Sequence, residues 1–497
     1  LWWGHRIPAW YDNEGNVYVG KSEAAVRKEH QINPSIRLKQ DDDVLDTWFS
    51  SALWPFSSLG WPHKTYDLDT FYPTNILVTG FDIIFFWVAR MIMMGIKFMG
   101  EIPFNEVYIH GLIRDKNGQK MSKSKGNILD PLDVIDGIDL KTLTEKRTQG
   151  LMQPEMAQRI IKETKKEFPK GIPEYGTDAL RFTFAIQATT GRDIRLDLNR
   201  VEGYRNFCNK LWNAARFVKM NTNDFEYEPE IEKQTDANIV DLWIQSKLSS
   251  LISNTEKNFN EYRLDRASNG LYEFIWNDYC DWYLELSKSF LNDANKTENQ
   301  KSQMKNNLIQ VLEISLRALH PIIPFITEEI WQSLSKKNNL ASIMTQPFPK
   351  NKNLESNDDS VAIIEWLKAF VTNVRQIRSE MSIPPKKKIN ILVKGPSKLD
   401  MKNLDQTMSY IKDLASIDEI KIIKEKDDVP ISAIALLGNI KIFIPLEGLI
   451  DIEEEKKRLN KKYERILNEI TSMNNRLSSE GFINKAPRDV VDELKIK

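Results

Sequence analysis

Glu106-Val107-Tyr108-Ile109-His110-Gly111-Leu112 and, eight residues further on, Lys120-Met121-Ser122-Lys123-Ser124-Lys125-Gly126-Asn127 form the stretch on which the reading of this chain turns. The first run is rich in β-formers and ends at a glycine. An earlier run, Asn75-Ile76-Leu77-Val78-Thr79, also ends at a glycine, and Phe81-Asp82 and an amphipathic segment follow it. Short apolar strands alternating with helices predict a parallel α/β sheet, and such sheets bind ligands beyond the carboxyl ends of their strands. Gly80 lets a nucleoside approach the backbone, and Asp82 has acceptors for ribose hydroxyls. A plain strand-to-helix turn with Asp82 as its cap is the alternative. The lysine run predicts a loop whose Lys120 and Lys123 neutralise a polyphosphate. Attack on an α-phosphate builds charge on the leaving pyrophosphate, and a fixed ammonium stabilises that charge best in the transition state. The Ser122 and Ser124 hydroxyls and the Gly126 amide add donors; a solvated lysine loop is the alternative.

Outward from this stretch, the chain has 497 residues, 41% hydrophobic and 28% charged, which suits three or more domains. A net charge of −1 excludes a uniformly basic nucleic-acid coat but leaves room for a local positive surface. Cys208 and Cys280 form no CxxC pair and no metal-like cluster, as expected for a reducing cytosol without structural zinc. No charged segment leads into an apolar one at the start, so a signal peptide is not expected. Residues 76–99 are apolar enough to suggest a membrane span. They carry Asp82, Arg90 and Lys97, however, and are expected to form a buried strand and then a core helix.

The pattern changes along the chain. Lys141–Lys170 holds eight Lys/Arg against four Glu, a net +4, in a mostly helical stretch. From Gly176 to about Ser335 the reading is all helix, with Ile275, Tyr279, Trp282 and Leu286 spaced as one buried face. A polar linker (336–360) and a helix at 361–380 lead to a smaller α+β unit with strands expected at 389–393, 419–424 and 440–444. Ile452, Leu459, Tyr463, Ile466, Ile470, Met473 and Leu477 step by 7, 4, 3, 4, 3 and 4, as in a coiled coil. A turn at Gly481 and Pro487 then predicts a second helix.

Lys120–Ser124 resembles the second signature of the class I aminoacyl-tRNA synthetases. In that family a Gly-x-Asp like Gly80-Phe81-Asp82 contacts the ribose and adenine of ATP, and the match extends over Thr79–Arg90. His110-Gly111-Leu112 resembles the adenine-contacting segment. The resemblance therefore implies that Gly80, Asp82, His110, Gly111, Leu112, Lys120, Met121, Ser122, Lys123 and Ser124 bind ATP, with Lys120 and Lys123 catalytic. Asp43–Ser51 resembles the amino-acid pocket of the valine, isoleucine and leucine subgroup, with Asp46 and Trp48 in it. Trp48 offers a flat wall for a branched side chain, or is simply core. Thr47–Pro55, Lys125 and Trp2–Pro8 look like the valine type rather than the isoleucine type. Gly176–Arg181 through Gly191-Arg192-Asp193 resembles the junction with a helical anticodon-binding domain. On the helix after it, Asn206, Asn209, Asn213 and Arg216 share one face, toward RNA, solvent or another domain. The aromatics of 272–283 read as bundle core, and Lys386–Lys388 as a phosphate contact or a solvated edge.

The fold so implied is multidomain. It comprises the second half of a Rossmann-type α/β catalytic domain (1–138), a basic helical connector (139–175) and an all-α anticodon-binding bundle (176–350). A small α+β junction domain (351–450) and a coiled-coil tRNA-binding arm (451–497) follow. The implied partners are valine, tRNA(Val) and ATP with Mg²⁺, in a cytoplasmic monomer without a membrane segment. An isoleucine-type sibling and a non-catalytic tRNA-binding relative are the alternatives. The family's first signature, His-Ile-Gly-His, is not in the chain, nor are the first half of the nucleotide fold and the editing insertion. The chain is thus expected to be cut at both ends and not to activate valine by itself. Editing is expected in the intact protein, because an apolar pocket rejects a hydroxyl-bearing isostere only weakly, a limit for which valine enzymes are themselves the usual illustration.

Overall fold

The structure is a computed structural model that describes residues 4–478 apart from 152, 190, 223–237, 335–340, 351–355 and 450–451. The expectations for Trp2 and Trp3, for residues 336–340 and 351–355 of the polar linker and for the second helix of the arm lie outside the described residues. So do those for the side chains of Ser124, Ile452 and Leu459. The chain divides into two compact units, Leu1–Asn206 with Glu256–Asn269, and Phe207–Thr255 with Gly270–Lys497.

In the first unit, β1 (Ala9–Tyr11), β2 (Val17–Val19) and β3 (Lys39–Gln40) form a small antiparallel sheet in the order β2-β1-β3. β4 (Thr74–Gly80) and β5 (Phe104–His110) pair in parallel, with Ile76 opposite Glu106 and Gly80 opposite His110. Parallel neighbours need a crossover. Here it runs through a short 3-10 turn, the π-helical Ile84–Val88 and the helix Ala89–Met99, which stops at Gly100 in the left-handed conformation. Neither the buried strand nor the core helix expected here is found as such: β4, one of two paired strands among the described residues, leaves Ile76 and Val78 exposed, and the crossover is buried in part. Val88, Met91 and Gly95 are buried, but Met93, Ile96 and Phe98 are exposed and Phe85 is 80% exposed. The helix packs on its strands along one stripe only. No described helix is long and apolar enough to cross a membrane.

The helices Leu140–Thr148 and Ala157–Glu167 form the basic insertion, and three of its cations are paired among the described residues, Arg159 with Glu163 inside it. Lys146 reaches Asp130 at 2.6 Å and Asp133 at 2.8 Å, and Arg147 lies against Glu167 at 3.7 Å. The all-helical reading after Gly176 needs one correction. Ile194–Arg195 is a strand, β7, parallel to β6 (Ile113–Arg114). Two residues are too few to register as a period, and their backbone partners lie some 80 residues upstream (Ile113 opposite Ile194).

The second unit is dominated by long helices, including Glu298–Leu319 and Asp358–Glu380, around the fully buried Trp243, Leu248, Ile275, Tyr279, Leu286 and Leu312. The expected stripe holds at Ile275, Tyr279 and Leu286, but Tyr283 replaces Trp282 in the core. Phe274–Tyr283 is π-helical, and its wider turn carries Tyr283 round to the face of Tyr279. Four strands follow: β8 (Ile389–Lys394), β9 (Ile417–Ile423), β10 (Ser432–Leu437) and β11 (Ile440–Pro445), in the order β10-β11-β8-β9. β8 and β9 are parallel, joined by the helix Lys398–Ala415, and β10 and β11 make a hairpin over Gly438-Asn439. β10 was not expected. Its Ser-Ala-Ile-Ala-Leu-Leu sequence lacks the β-branched alternation of the other three. The arm helix spans Ile452–Leu477, with Tyr463 65% exposed and Ile466 and Ile470 also open to solvent.

Candidate functional site

The pairing of β4 with β5 brings the ends of both strands together. A Cβ placed on Gly80 would lie 2.7 Å from Asp82 Oδ1, 3.4 Å from the Leu112 side chain and 3.7 Å from the His110 ring. Gly80, Asp82, His110 and Leu112, chosen from two separate stretches, therefore converge on one spot. Asp82 is exposed there, and His110 is half-buried with Nδ1 2.9 Å from the Gly111 carbonyl.

Gly111 has a different reason to be glycine. A Cβ on it would come within 1.7 Å of the Arg192 carbonyl oxygen, so two backbones meet here with no room for a side chain. Asp193 seals that contact. One carboxylate oxygen accepts the Leu112 amide at 3.0 Å, and the other accepts the Arg114 guanidinium. These two donors hold the Asp193 carboxyl below the usual carboxylate range, the Arg114 bond contributing most. The Gly191-Arg192-Asp193 segment thus packs directly on the backbone that follows β5.

β6 continues into a turn at Asp115–Gln119 and an isolated bridge between Arg114 and Lys120, which places the lysine loop. Ser122 caps the 3-10 turn Lys123–Lys125 by accepting the Lys125 amide at 3.3 Å. Gly126 ends the turn at φ +64°, and a Cβ on it would sit 2.6 Å from the buried Ile160 side chain. Lys120, Lys123 and Lys125 are exposed, and among the described residues their ammonium groups make no hydrogen bond or ion pair. Met121 and Ser122 are half-buried beneath them. A cavity of about 520 Å³ borders the loop, lined by Lys123, Gly126, Leu129, Pro131, Leu143 and Arg147.

The loop's shape comes from two residues to which the sequence reading gave no role. Asn127 Oδ1 accepts the Ser122 amide at 3.0 Å, and its Nδ2 donates to Asp115 Oδ2 at 2.8 Å. The other oxygen of Asp115 accepts the amides of Asn117 and Gln119. Burial pushes the Asp115 carboxyl up, but the bonds from Asn127, Gln119 and Asn117 outweigh it and leave the group below its ordinary value. The Asp-Lys-Asn-Gly turn was visible in the sequence. Its partnership with a residue twelve positions on was not.

Trp48 lies on the helix Thr47–Ala52 and is 37% exposed, with the Arg90 guanidinium 5.4 Å from its ring centre. Trp87 ties this helix to the crossover after β4 by donating its indole N–H to the Ser51 carbonyl at 3.0 Å. Asp46 caps the helix, accepting the Trp48 amide at 2.6 Å. Asn206, Asn209, Asn213 and Arg216 are all exposed, as one face of the helix Leu198–Thr222. Among the described residues no group of three or more His, Cys, Asp or Glu could hold a metal.

Residues 1–197 match the family described as tRNA synthetases class I (I, L, M and V). Residues 241–393 match the anticodon-binding domain of tRNA ligase, and 451–497 the valyl tRNA synthetase tRNA binding arm. The chain is 48% identical over 513 residues to a valine--tRNA ligase of Psychrobacter arcticus, and 51% identical over 508 residues to one of Legionella pneumophila strain Paris. All of the chain is covered in both, against 52% and 54% of those relatives, so it spans about half the length of the curated relatives it matches. Among solved structures, the ternary complex of Agrobacterium radiobacter K84 agnB2 LeuRS with tRNA and LeuAMS is 15% identical at a TM-score of 0.49, covering 85% of this chain and 49% of that one; at that distance it adds nothing to the argument. On the match of its domains, and on relatives of about half identity along its whole length, the chain belongs to the class I tRNA synthetases.

Proposed function

We propose that this chain carries the nucleotide end, the lysine loop and the tRNA-binding parts of a valine–tRNA ligase. The reaction joins valine to ATP as valyl-adenylate with release of pyrophosphate. The terminal ribose hydroxyl of tRNA(Val) then attacks the acyl carbon. One observation carries this reading: Lys120 and Lys123, with no hydrogen-bond or ion-pair partner among the described residues, stand on a loop whose backbone is tied down, following a strand end where Gly80, Asp82 and His110 converge. Cations held in place without partners stabilise charge as it develops on the departing pyrophosphate, with little reorganisation left to pay at that moment. A non-catalytic tRNA binder has no use for such a loop.

In this reading Gly80, Asp82, His110, Gly111 and Leu112 hold the nucleoside. Lys120 and Lys123 are the catalytic cations, Met121, Ser122 and Ser124 line the loop, and Trp48, with Asp46 capping its helix, shapes the valine pocket. Mg²⁺ enters with the ATP phosphates, since the described residues offer it no carboxylate cluster. Residues 1–138 act as the second half of the catalytic domain, 139–175 as a connector, 176–350 as the anticodon-binding bundle and 351–450 as a junction. Residues 451–497 act as a coiled-coil arm against tRNA. The whole works as a cytoplasmic monomer with editing elsewhere in the protein. The valine-type details of Thr47–Pro55 and the relatives' names support valine over isoleucine.

The test is Lys123→Ala in a protein of the relatives' full length. Single-turnover adenylate formation should slow by about 10²–10³-fold, while valine and tRNA affinities change little. An unchanged rate, or a defect confined to valine affinity, would return Lys123 to the status of a solvated loop residue.

A further inference from the structure

Among the described residues Lys120 and Lys123 make no hydrogen bond or ion pair that would fix where their ammonium groups stand, so the loop backbone must do it, and one side chain holds that backbone on both sides of Met121. Asn127 accepts the Ser122 amide at 3.0 Å through Oδ1 and donates to the Lys120 carbonyl at 3.3 Å and to Asp115 Oδ2 at 2.8 Å through Nδ2. Asp115 anchors the other side, its second oxygen holding the amides of Asn117 at 3.0 Å and Gln119 at 2.8 Å in the turn that feeds Lys120. Immediately before Asn127, Gly126 seats the chain on Ile160.

The chemistry of the two head groups is specific. A carboxamide is planar and carries an acceptor and a two-proton donor side by side, so it can bridge an N–H and a C=O of the same loop at once. A carboxylate at residue 127 would lose both donor bonds and set two acceptors against each other. A carboxylate at residue 115 suits a position that must take three N–H groups and give none.

We propose that Asn127 and Asp115 form a clasp that sets the geometry of Lys120 and Lys123 for the transition state. They act as positioning residues that do not themselves touch ATP; this rests on the lysine-loop reading above. Without the clasp the loop keeps its charge, so ground-state attraction for ATP persists. What is lost is preorganisation, which appears in the rate and not in substrate binding.

The experiment has two readouts. In the 497-residue chain, hydrogen exchange at the Ser122 amide should quicken at least about 10-fold in Asn127→Ala, while residues 239–260 exchange as before. In a protein of the relatives' full length, Asn127→Ala and Asn127→Asp should each lower kcat for valine-dependent ATP–pyrophosphate exchange by about 10²-fold. KM for ATP should move less than about 3-fold. The reciprocal pair, Asp115→Asn with Asn127→Asp, restores the 115–127 bond in the opposite direction, though not the bond to the Lys120 carbonyl, and should recover part of the rate lost in Asn127→Asp. The effect of Asn127→Ala should also shrink in a Lys123→Ala background, as expected of two residues acting through one contact. Unchanged exchange at Ser122, a loss falling on KM, no recovery in the reciprocal pair, or strict additivity with Lys123→Ala would each overturn the clasp. If Lys123→Ala alone leaves the rate intact, the lysine-loop reading fails and the clasp with it. If Lys123→Ala is costly and Asn127→Ala is harmless, only the clasp fails.

Discussion

Asp241 sits fully buried in the helical bundle, where Asn307 donates to one oxygen at 2.7 Å and Tyr283 to the same oxygen at 2.9 Å. Asn238 serves the other oxygen. Burial nonetheless dominates these three bonds and pushes the carboxyl up to about 6 from an ordinary value of 3.8. A carboxyl raised on folding binds its proton more tightly in the folded state. Its contribution to stability is therefore greatest below pH 3.8 and is lost as pH rises through about 6. A shift of about two units corresponds to roughly 3 kcal/mol, and the loss should be complete above about pH 7. Asp241→Asn removes the titration and, with it, this pH dependence. The substitution carries its own fixed cost of about 1–3 kcal/mol, because its new N–H₂ faces the Asn238 amide, whose oxygen is already occupied by the amides of Val240 and Asp241. Urea unfolding of both proteins from pH 4 to pH 8, followed by hydrogen exchange of residues 241–252, gives the difference between them. The wild-type advantage should shrink by about 2–3 kcal/mol across that range. Parallel curves, or a wild-type advantage that grows with pH, would refute the reasoning.

Arg378 is buried and gives its guanidinium to four carbonyls, those of Ala415, Pro384, Pro385 and Lys387, so it pins the end of its helix to the start of the α+β unit. Arg378→Met should cost on the order of 3–5 kcal/mol, read as a lower urea midpoint, and an unmoved midpoint would contradict this. Gly111→Ala must part β6 from β7, since its methyl would overlap the Arg192 carbonyl. Faster hydrogen exchange at Leu112 and Ile194 and a lower Tm are expected, and a protein indistinguishable from wild type would mean the backbones can part freely. Removing everything after Gly448 from a protein of the relatives' full length should raise KM for tRNA and leave ATP–pyrophosphate exchange intact. The helix Ile452–Leu477 has 26 residues, or about 39 Å of reach. Loss of an oligomer with unchanged tRNA kinetics would make this segment a dimer zipper instead.

What could be read in advance follows from the range of the interactions involved. β4 and β5 announce themselves because each is an apolar run closed by glycine, and the site residues at their ends follow from that placement. The lysine loop is legible as a string of residue types. Its internal order is not, because Asp115 and Asn127 look locally like ordinary turn formers and meet only after the loop has folded. β7 and β10 escaped for opposite reasons. The first is two residues held by a distant partner, and the second reads as a helix former until β11 turns back on it. Tyr283 is among the aromatics of 272–283 that read as core, but the stripe takes Trp282 in its place because the helical period assumed for residues 275–286 is broken by a π-helical stretch. The capping role of Asp46, by contrast, was open to view in Asp-Thr-Trp, one residue before the helix.

The bridge between Ile138 and Ile172, with both amide-to-carbonyl bonds at 2.8 Å, gives the basic insertion an unusual topological freedom. The chain leaves and re-enters at neighbouring points, so residues 139–171 form a closed lobe that evolution or an engineer could lengthen, nick or circularly permute without displacing the strands on either side. Ile160 sets the limit to that freedom. It lies in the lobe yet forms the floor under Gly126. A transplant that swapped the lobe for a two-residue linker would conserve the connectivity of the domain and leave the turn at Lys123–Gly126 hanging over a void.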